Sequence, residues 1–247
     1  MDKTLLPPAV DLGADALFLD YDGTLVELAP TPADAVADRD LLRLLGALLD
    51  KAGGAVAVVT GRPTADIDAF LAPLRLPVAA LHGLAVRLAG GAALEAPSQA
   101  AGLAAVRHAF DEFAAAHAGT QVEDKGLSVA LHFRGAAGAA AAADRLAQDL
   151  AGASAGALRL QRGKMVVELL PAGTDKGTGI AGLLASVPFA GRRPVFVGDD
   201  VTDEAGFAAV DRLGGMSVKV GGGPTAAAHR LPDVAAVRAW LGQGTAS

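Results

Sequence analysis

Acidic side chains follow two short apolar segments of the chain, residues 16–19 and 195–197. The acids concerned are Asp20, Asp22, Asp199 and Asp200. Carboxylates brought to one place repel one another unless a hard cation neutralises them, and Mg²⁺ prefers such oxygen ligands. A carboxylate beside such a cation can attack phosphorus in-line, and water then hydrolyses the acyl phosphate. The pattern therefore predicts magnesium-assisted phosphoryl chemistry.

Donor groups that this chemistry needs occur elsewhere in the chain. Thr60 and Gly61 follow a third apolar segment, residues 55–59, and Lys176 lies in the first turn of a predicted helix. Charge that develops on the equatorial oxygens of a transferring phosphoryl group needs fixed donors, such as a lysine, a hydroxyl and backbone N–H groups. We therefore group Thr60 and Lys176 with the acids as a candidate site.

Each part of this group has an ordinary structural explanation when it is taken alone. An Asp-x-Asp sequence after a strand suits a turn or a helix cap, and Thr202 or Asp203 suits a helix start. Lys176 by itself is typical of a solvated surface lysine. The parts occur in chain order, each at a strand end or a helix start, and this conjunction favours chemistry.

The apolar segments are short and apolar on both faces, as buried parallel strands are. They comprise residues 16–19, 55–59, 78–81, 195–197 and 218–220. Helical patterns lie between them, including a leucine stripe that ends at Gly53 and an i, i+3, i+4, i+7 spacing that begins at Ile180. This alternation predicts an α/β fold with a doubly wound parallel sheet. Ligands of such sheets bind beyond the carboxyl ends of the strands.

The middle of the chain has a different pattern, typical of a small α+β unit. Its predicted elements are helices over 98–116 and 137–150 and strand pairs of 120–123 with 127–133 and 158–161 with 165–169. We therefore predict an inserted domain over 98–171 and a catalytic core of residues 1–97 and 172–247. An inserted domain that admits substrate and expels water must move, and we expect its two connections to act as hinges.

Composition excludes several classes of function. The net charge is −6, the pI is about 5.3 and no basic run occurs, which weighs against a nucleic-acid partner. The chain has no cysteine, so thiolate catalysis and cysteine–zinc sites are excluded. No segment approaches the ~20 apolar residues of a membrane span, and residues 1–10 lack a signal-peptide layout. We expect a cytoplasmic, monomeric enzyme that acts on a small molecule.

The candidate site resembles the motifs of the haloacid dehalogenase superfamily of phosphohydrolases. Asp20-Tyr21-Asp22-Gly23-Thr24-Leu25 resembles the first motif, Thr60 the second, Lys176 the third, and Gly198-Asp199-Asp200 with Asp203 the fourth. The resemblance implies a Rossmann-like haloacid-dehalogenase core. It also implies that the inserted α+β domain is the cap that such sugar phosphatases carry.

The resemblance narrows to the bacterial trehalose-6-phosphate phosphatase family over about residues 15–241. The similar segments are Leu81-His82-Gly83, Val122–Gly126, Leu131–Arg134, Gly163–Glu168, Gly198–Glu204 and Gly214–Val220. One departure is Ala85, where the family often carries an acidic residue. The resemblance implies hydrolysis of trehalose 6-phosphate to trehalose and phosphate, with Mg²⁺ as cofactor.

The resemblance also implies roles for the acids. Asp20 is the implied nucleophile and, with Asp199, a ligand of Mg²⁺. Asp22 is the implied acid that protonates the leaving sugar oxygen and then the base that activates water, while its backbone carbonyl binds the metal. A group of this kind commonly contributes ~10²–10⁴-fold to the rate. Asp200 is a further predicted ligand, and Asp203 is a candidate for direct or water-mediated contact with the metal.

A second set of residues is implied to contact the phosphoryl group. Lys176 would stabilise the transferring group and restrain Asp20, and Thr60 would act with it as a catalytic donor. The predicted substrate contacts at this end of the site are Asp20, Tyr21, Asp22, Gly61 and Arg62.

Sugar specificity is predicted to lie in the cap. A hydroxyl-rich disaccharide suits carboxylates and a lysine as hydrogen-bond partners. Glu123 and Lys125 point the same way in an alternating strand, and Glu168 comes from the other hairpin. Without the family resemblance these three residues would be interpreted as a surface ion-pair cluster. With it, they are the predicted substrate-binding residues of the cap.

Three other functions remain open at the level of the sequence. The first is a different sugar phosphatase of the same fold, acting on sucrose phosphate or a glycosyl-phosphoglycerate. The second is a mutase, which uses the same aspartyl-phosphate but protects it from water. The third is a non-catalytic sugar-phosphate sensor, against which the joint presence of Asp20, Asp22, Lys176 and Asp199 argues.

Overall fold

A computed structural model describes residues 5–29, 31, 34–94 and 102–246. The chain divides into two compact units, unit 1 with residues 1–95 and 175–247 and unit 2 with residues 96–174. The predicted hinge near 97 and the first residues of the helix predicted from 98 lie outside the described residues. Within the described ranges, no helix has both the length and the apolar character needed to span a membrane.

Unit 1 is built on an eight-stranded sheet. Its strands are β1 Asp15–Leu19, β2 Val56–Val59, β3 Val78–Ala80, β4 Ala85–Arg87, β5 Ala93–Leu94, β10 Arg193–Gly198, β11 Met216–Val220 and β12 His229–Leu231. The strand order is β12-β11-β10-β1-β2-β3-β4-β5, parallel from β12 to β3 and antiparallel from β3 to β5. The five predicted strands are all present, and the predicted α/β fold is confirmed.

Unit 1 has five α-helices among its described residues, and aspartate side chains cap the first turns of several of them. The helices are α1 Arg39–Lys51, α2 Thr64–Phe70, α5 Lys176–Leu184, α6 Glu204–Arg212 and α7 Val234–Ala246. The Asp38 carboxylate caps α1 by accepting from the Leu41 N–H at 2.7 Å. Asp175 caps α5 in a capping box with Thr178. This second cap places Lys176 at the first position of its helix, with its side chain directed toward the sheet edge.

The strand order decides where a ligand can bind. The chain runs outward from β1 through β2 and β3, then returns to β10 on the other side of β1. The connections that follow β1 and β10 therefore diverge from the same point at their carboxyl ends, which is where α/β sheets bind ligands. The sheet thus brings Asp20, after β1, beside Asp199, after β10.

Unit 2 is an antiparallel sheet with two helices. Its elements are α3 Leu103–Ala116, β6 Gln121–Asp124, β7 Val129–His132, α4 Ala140–Ala153, β8 Leu158–Gly163 and β9 Val166–Pro171. The strand order is β6-β7-β9-β8. Both predicted hairpins are present, and the pairing of β7 with β9 joins them into one sheet.

The two faces of the unit 2 sheet differ in character. Val129, Leu131 and Phe133 lie on one face and belong to a core cluster with residues of α3 and α4. The other face carries the polar side chains of Glu123, Glu168 and Gln161. These residues lie in one row across the sheet, with Ala130 between Glu123 and Glu168. The alternation predicted for the second strand of the first hairpin is therefore confirmed.

Several short elements were not predicted. Strands β4, β5 and β12 have two or three residues each, too few for a periodic pattern. The predicted strand over 78–81 ends one residue early, because Leu81 has a φ of 50° and His82 a φ of 55°. These positive values turn the chain sharply back toward β2.

Candidate active site

Lys176 holds the side chain of Asp20 at the centre of the sheet edge. The Nζ of Lys176 donates to Oδ1 of Asp20 at 2.7 Å and to Oδ1 of Asp203 at 2.6 Å. All three residues are at most 4% exposed. Burial opposes the charge on Lys176, but Asp20 and Asp203 outweigh it and raise the pKa of this lysine. The ammonium group therefore stays charged and fixes both carboxylates.

Three carboxylates converge beside this lysine. Single oxygen atoms of Asp20, Asp199 and Asp203 all lie within 4.8 Å of one another. Burial and the neighbouring charges of Asp203 and Asp199 raise the pKa of Asp20 well above its usual range, although Lys176 opposes the shift. Burial, Asp203 and Asp200 likewise raise the pKa of Asp199 to about 6.

The close approach of these three carboxylates suits the binding of a divalent cation. Among the described residues the three acids have one ion-pair partner, Lys176, so the cluster keeps an excess of negative charge that burial makes costly. All the donors are carboxylate oxygens, the type that Mg²⁺ and Ca²⁺ prefer. The chemistry of the donor set thus suits a hard metal ion at this position.

The predicted ligand Asp200 lies outside this three-acid group, and Asp203 takes its place there. Oδ1 of Asp200 instead accepts from the Val201 N–H at 2.7 Å, and the Asp200 residue itself is exposed. Oδ2 of Asp203 accepts from the Asp200 N–H at 2.9 Å, which closes a capping box at the start of a short 3-10 helix. The sequence alone favoured Asp200 as a ligand, because the spacing of acids that follow a strand does not tell which of them turns toward Asp20.

Gly23 is essential to the approach of the two acidic loops. It has a φ of 74°, and a Cβ atom at this position would lie 2.2 Å from Oδ2 of Asp199. Any other residue would push the Asp199 carboxylate away from its place and would also be strained in this backbone conformation. The glycine of the first motif therefore makes room for the acid of the fourth.

Asp22 is held side-on by Arg62. The guanidinium donates from Nε to Oδ2 and from Nη2 to Oδ1, both at 2.6 Å. The same guanidinium lies over the rings of Phe70 at 5.0 Å and Tyr21 at 5.8 Å. A planar fork stacked on aromatic rings has little freedom to rotate, so Arg62 fixes the orientation of the Asp22 carboxylate.

Tyr21 has a packing role that the sequence did not predict. Its side chain is fully buried and its hydroxyl donates to the Ala35 carbonyl oxygen at 2.8 Å. Burial and the neighbouring Asp22 raise its pKa to about 12. This burial leaves no side-chain surface for a substrate, so the predicted contact of Tyr21 rests on its backbone alone.

Thr60 and Gly61 form a tight loop after β2. The Thr60 hydroxyl accepts from the Arg62 N–H at 3.1 Å, which leaves its own proton to donate to a phosphoryl oxygen. The His82 N–H donates to the Thr60 carbonyl at 2.9 Å. A Cβ atom on Gly61 would lie 2.5 Å from the His82 ring, so only glycine fits there. His82, which we did not predict as a site residue, thus supports this loop.

The predicted sugar-binding residues of unit 2 form two hydrogen-bonded sets on the polar face of its sheet. Glu168 accepts from Lys125 Nζ at 3.2 Å and from the Ser128 hydroxyl at 2.5 Å. Glu123 bonds with His132 Nε2 at 2.8 Å, and this bond lowers the pKa of Glu123. Glu168 is only 6% exposed. Ser128 and His132 therefore position the carboxylates, a role that only the strand register reveals.

Comparison with known proteins shows which family this chain belongs to. A family model described as trehalose-phosphatase matches residues 18–234. The chain belongs to the trehalose-phosphatase family. Over 228 residues it is 42% identical to the trehalose-6-phosphate phosphatase of Escherichia coli. The aligned region covers 92% of this chain and 85% of that protein. The predicted membership is therefore confirmed, and this family member is a phosphoric monoester hydrolase.

Solved structures support the fold of this trehalose-phosphatase family member. A trehalose-6-phosphate phosphatase related protein is 28% identical, with a TM-score of 0.78 over 93% of this chain and 96% of that chain. A haloalkanoate (HAD) superfamily phosphatase from Bacteroides thetaiotaomicron is 17% identical, with a TM-score of 0.64 over 96% of both chains. The second likeness concerns the fold alone and confirms the predicted haloacid-dehalogenase architecture.

Proposed function

We propose that this chain hydrolyses trehalose 6-phosphate to trehalose and phosphate through an aspartyl-phosphate on Asp20, with Mg²⁺ as cofactor. The observation that carries the proposal is the convergence of Asp20, Asp199 and Asp203 around Lys176 at the carboxyl edge of the sheet. Family membership, with a relative named as a trehalose-6-phosphate phosphatase, supports the choice of substrate. Its cytoplasmic location and monomeric state stay predictions.

In the first step Asp20 attacks the phosphorus of the ester. Lys176 occupies Oδ1 of Asp20, which leaves Oδ2 for the attack. A bond forms between Asp20 and phosphorus, the bond from phosphorus to the sugar oxygen breaks, and Asp22 gives that oxygen its proton. Lys176, the Thr60 hydroxyl and the Gly61 N–H stabilise the charge on the phosphoryl oxygens.

In the second step water attacks the phosphorus of the aspartyl-phosphate. Asp22 now takes a proton from this water, phosphate leaves, and the Asp20 carboxylate is restored. Arg62 keeps the Asp22 carboxylate in one orientation for both proton transfers. The same side chain therefore serves as acid and then as base.

The acids of the cluster would hold the metal ion. Asp20 and Asp199 are the proposed direct ligands, with the backbone carbonyl of Asp22, while Asp203 and Asp200 are candidates for direct or water-mediated contact. When bound, Mg²⁺ supplies positive charge that offsets the repulsion between the substrate phosphate and these carboxylates.

We propose that the polar face of unit 2 contacts the sugar of the substrate. Glu123, Lys125 and Glu168 offer two carboxylates and one ammonium group, which suit the hydroxyls of a neutral disaccharide. Their positions are set by Ser128 and His132. We propose that unit 2 selects the sugar, while unit 1 performs the chemistry.

Phosphate release from a panel of sugar phosphates tests this proposal. The panel contains trehalose 6-phosphate, sucrose 6-phosphate, glucosyl-3-phosphoglycerate and glucose 6-phosphate, each with Mg²⁺ and with EDTA. We expect the largest kcat/KM for trehalose 6-phosphate and loss of turnover in EDTA. A stronger preference for another ester would contradict the substrate. Labelled oxygen from water must enter the released phosphate, and its absence there would favour a mutase.

The substitution Glu168→Gln is expected to weaken only the reaction of the sugar phosphate. Loss of a hydrogen bond to a charged group costs about 1.5–3 kcal/mol, which corresponds to a fall of ~10–10²-fold in kcat/KM for trehalose 6-phosphate. The value for p-nitrophenyl phosphate, which has no sugar hydroxyls, should stay within about twofold. Glu112→Gln, at an exposed position, is the matched control. Equal losses with both substrates would argue against a sugar contact.

The substitution Arg62→Lys is expected to lower kcat for the sugar ester by ~10–10²-fold, since a lysine cannot form the two-bond fork that orients Asp22. Nitrophenolate leaves without protonation, so the loss with p-nitrophenyl phosphate should be several-fold smaller. Arg43→Lys, in an exposed ion pair, is the control. An equal loss on both esters would place Arg62 in phosphate binding rather than in the orientation of the acid.

A further inference from the structure

A second lysine, Lys219, lies buried beside the three-acid cluster, in the Gly214–Val220 segment, for which the sequence predicted no role. Lys219 is on β11, where its register partner is Gly198 at the end of β10. It is 5% exposed. Its neighbours along the strand, Val218 and Val220, are also buried. A lysine at a position of this kind needs a physical reason.

The contacts of Lys219 are with backbone carbonyls. Its Nζ donates to the carbonyl oxygen of Asp199 and to that of Val220, the second at 2.7 Å. Among the residues that the structure describes, no carboxylate lies within ion-pair distance of Lys219. The ammonium group therefore bonds to the peptide of the acidic loop and not to an acid of its own.

This arrangement is expensive for the fold by itself. A buried ammonium group without a paired carboxylate destabilises the folded state, and two neutral carbonyls offset this only in part. Longer-range attraction to the acid cluster supplies part of the remainder, since Lys219 acts on the charge of Asp199.

Lys219 also completes the set of contacts that fix the acidic loop. The Asp200 N–H is bonded by Asp203, the Val201 N–H is bonded by Asp200, and the Asp199 carbonyl is bonded by Lys219. Without this last bond, the peptide between Asp199 and Asp200 is held only at its N–H, by Asp203, and rotates more easily about the end of β10. Rotation there would move the Asp199 carboxylate relative to Asp20.

We propose that Lys219 is a positioning residue for the metal site. Its hydrogen bond to the Asp199 carbonyl holds the Asp199 carboxylate in the orientation that binds the cation. The inference rests on the metal site of the proposed function. Residues that orient metal ligands through hydrogen bonds typically contribute about 10–100-fold to metal affinity or activity. The occupant is a hard divalent cation.

The sign of the effect on metal affinity separates this role from a purely electrostatic one. Removal of a nearby positive charge alone would leave the acids more negative and would tighten cation binding. Loss of the hydrogen bond that holds the loop would weaken cation binding, because Asp199 would no longer be held facing Asp20. We therefore expect weaker binding when Lys219 is replaced by a neutral residue.

Binding of Mn²⁺, measured by electron paramagnetic resonance on the purified full chain without substrate, tests the inference. Lys219→Met and Lys219→Leu both remove the charge and the group that donates to the two carbonyls. We expect a Kd for Mn²⁺ that is ~10–100-fold higher than in the unsubstituted protein. Lys51→Met, at an exposed position at the end of α1, should leave the Kd unchanged.

Each outcome decides the matter. An unchanged or lower Kd in either folded variant overturns the positioning role. Circular dichroism identifies the folded variants, and if one of the two does not fold, the other decides. Unsubstituted protein that binds Mn²⁺ but does not hydrolyse trehalose 6-phosphate would defeat the proposed function, while weaker binding in the Lys219 variants would still support this inference.

Discussion

Replacement of Asp20 by asparagine is expected to lower turnover of trehalose 6-phosphate by more than ~10⁴-fold, since removal of a nucleophile costs on this order or more. The amide has the same shape but cannot form the acyl phosphate. Phosphate release under saturating Mg²⁺ measures the effect. Asp50→Asn, at an exposed position on α1, should retain full activity. Residual turnover within tenfold of the unsubstituted protein would exclude Asp20 as the nucleophile.

The same substitution should not weaken the fold in metal-free buffer. Burial and the charges of Asp203 and Asp199 raise the pKa of Asp20, so its ionised form is disfavoured in the folded state. A neutral amide relieves this repulsion, and Tm in EDTA should rise, by about 2–4 °C for each kcal/mol relieved. Added Mg²⁺ should then raise Tm less than it does in the unsubstituted protein, because a ligand of the cation has been lost. A Tm well below that of the unsubstituted protein in EDTA would indicate that Asp20 stabilises the fold.

Replacement of Gly23 by alanine is expected to lower kcat by ~10²-fold, the loss that a misplacement of about 1 Å produces. The new Cβ atom would lie 2.2 Å from Oδ2 of Asp199, so this carboxylate must move. Strain at the φ of 74° adds a cost of about 1 kcal/mol to stability. Steady-state kinetics and Mn²⁺ binding together measure the displacement, and both should be impaired.

Gly214→Ala separates the two effects. Gly214 has a φ of 70° and nothing within 4 Å of an added Cβ atom, so it carries the same backbone strain without a clash. We expect a similar loss of stability with kcat unchanged. If Gly23→Ala and Gly214→Ala behaved alike in kinetics and Mn²⁺ binding, the approach of Gly23 to Asp199 would have no catalytic importance.

The limits of the sequence are clearest at the fourth motif. Asp199, Asp200 and Asp203 are equivalent in type, and nothing in their spacing tells which of them turns toward Asp20. The structure resolves this because Asp200 caps the following turn, while Asp203 is fully buried against Lys176. Lys219 did leave a signal that we did not use, namely one charged residue inside the apolar strand Met216–Val220.

Unit 2 shows a similar division. Alternation predicted which residues of the second strand face the core, because side chains change face at every residue of a strand. It could not predict that Ser128 and His132 orient Glu168 and Glu123, since those bonds depend on the register between strands.

The sequence by itself determined the alternating strands and helices, the order of the motifs, and hence the edge of the sheet at which chemistry is possible. These follow from local patterns, in which the apolar period and the capping residues act over a few positions. Only the tertiary structure decided which carboxylates meet, which glycine makes room for them, and which lysine holds the loop behind them. Those outcomes depend on distances between segments far apart in the chain, and pairing between strands sets such distances.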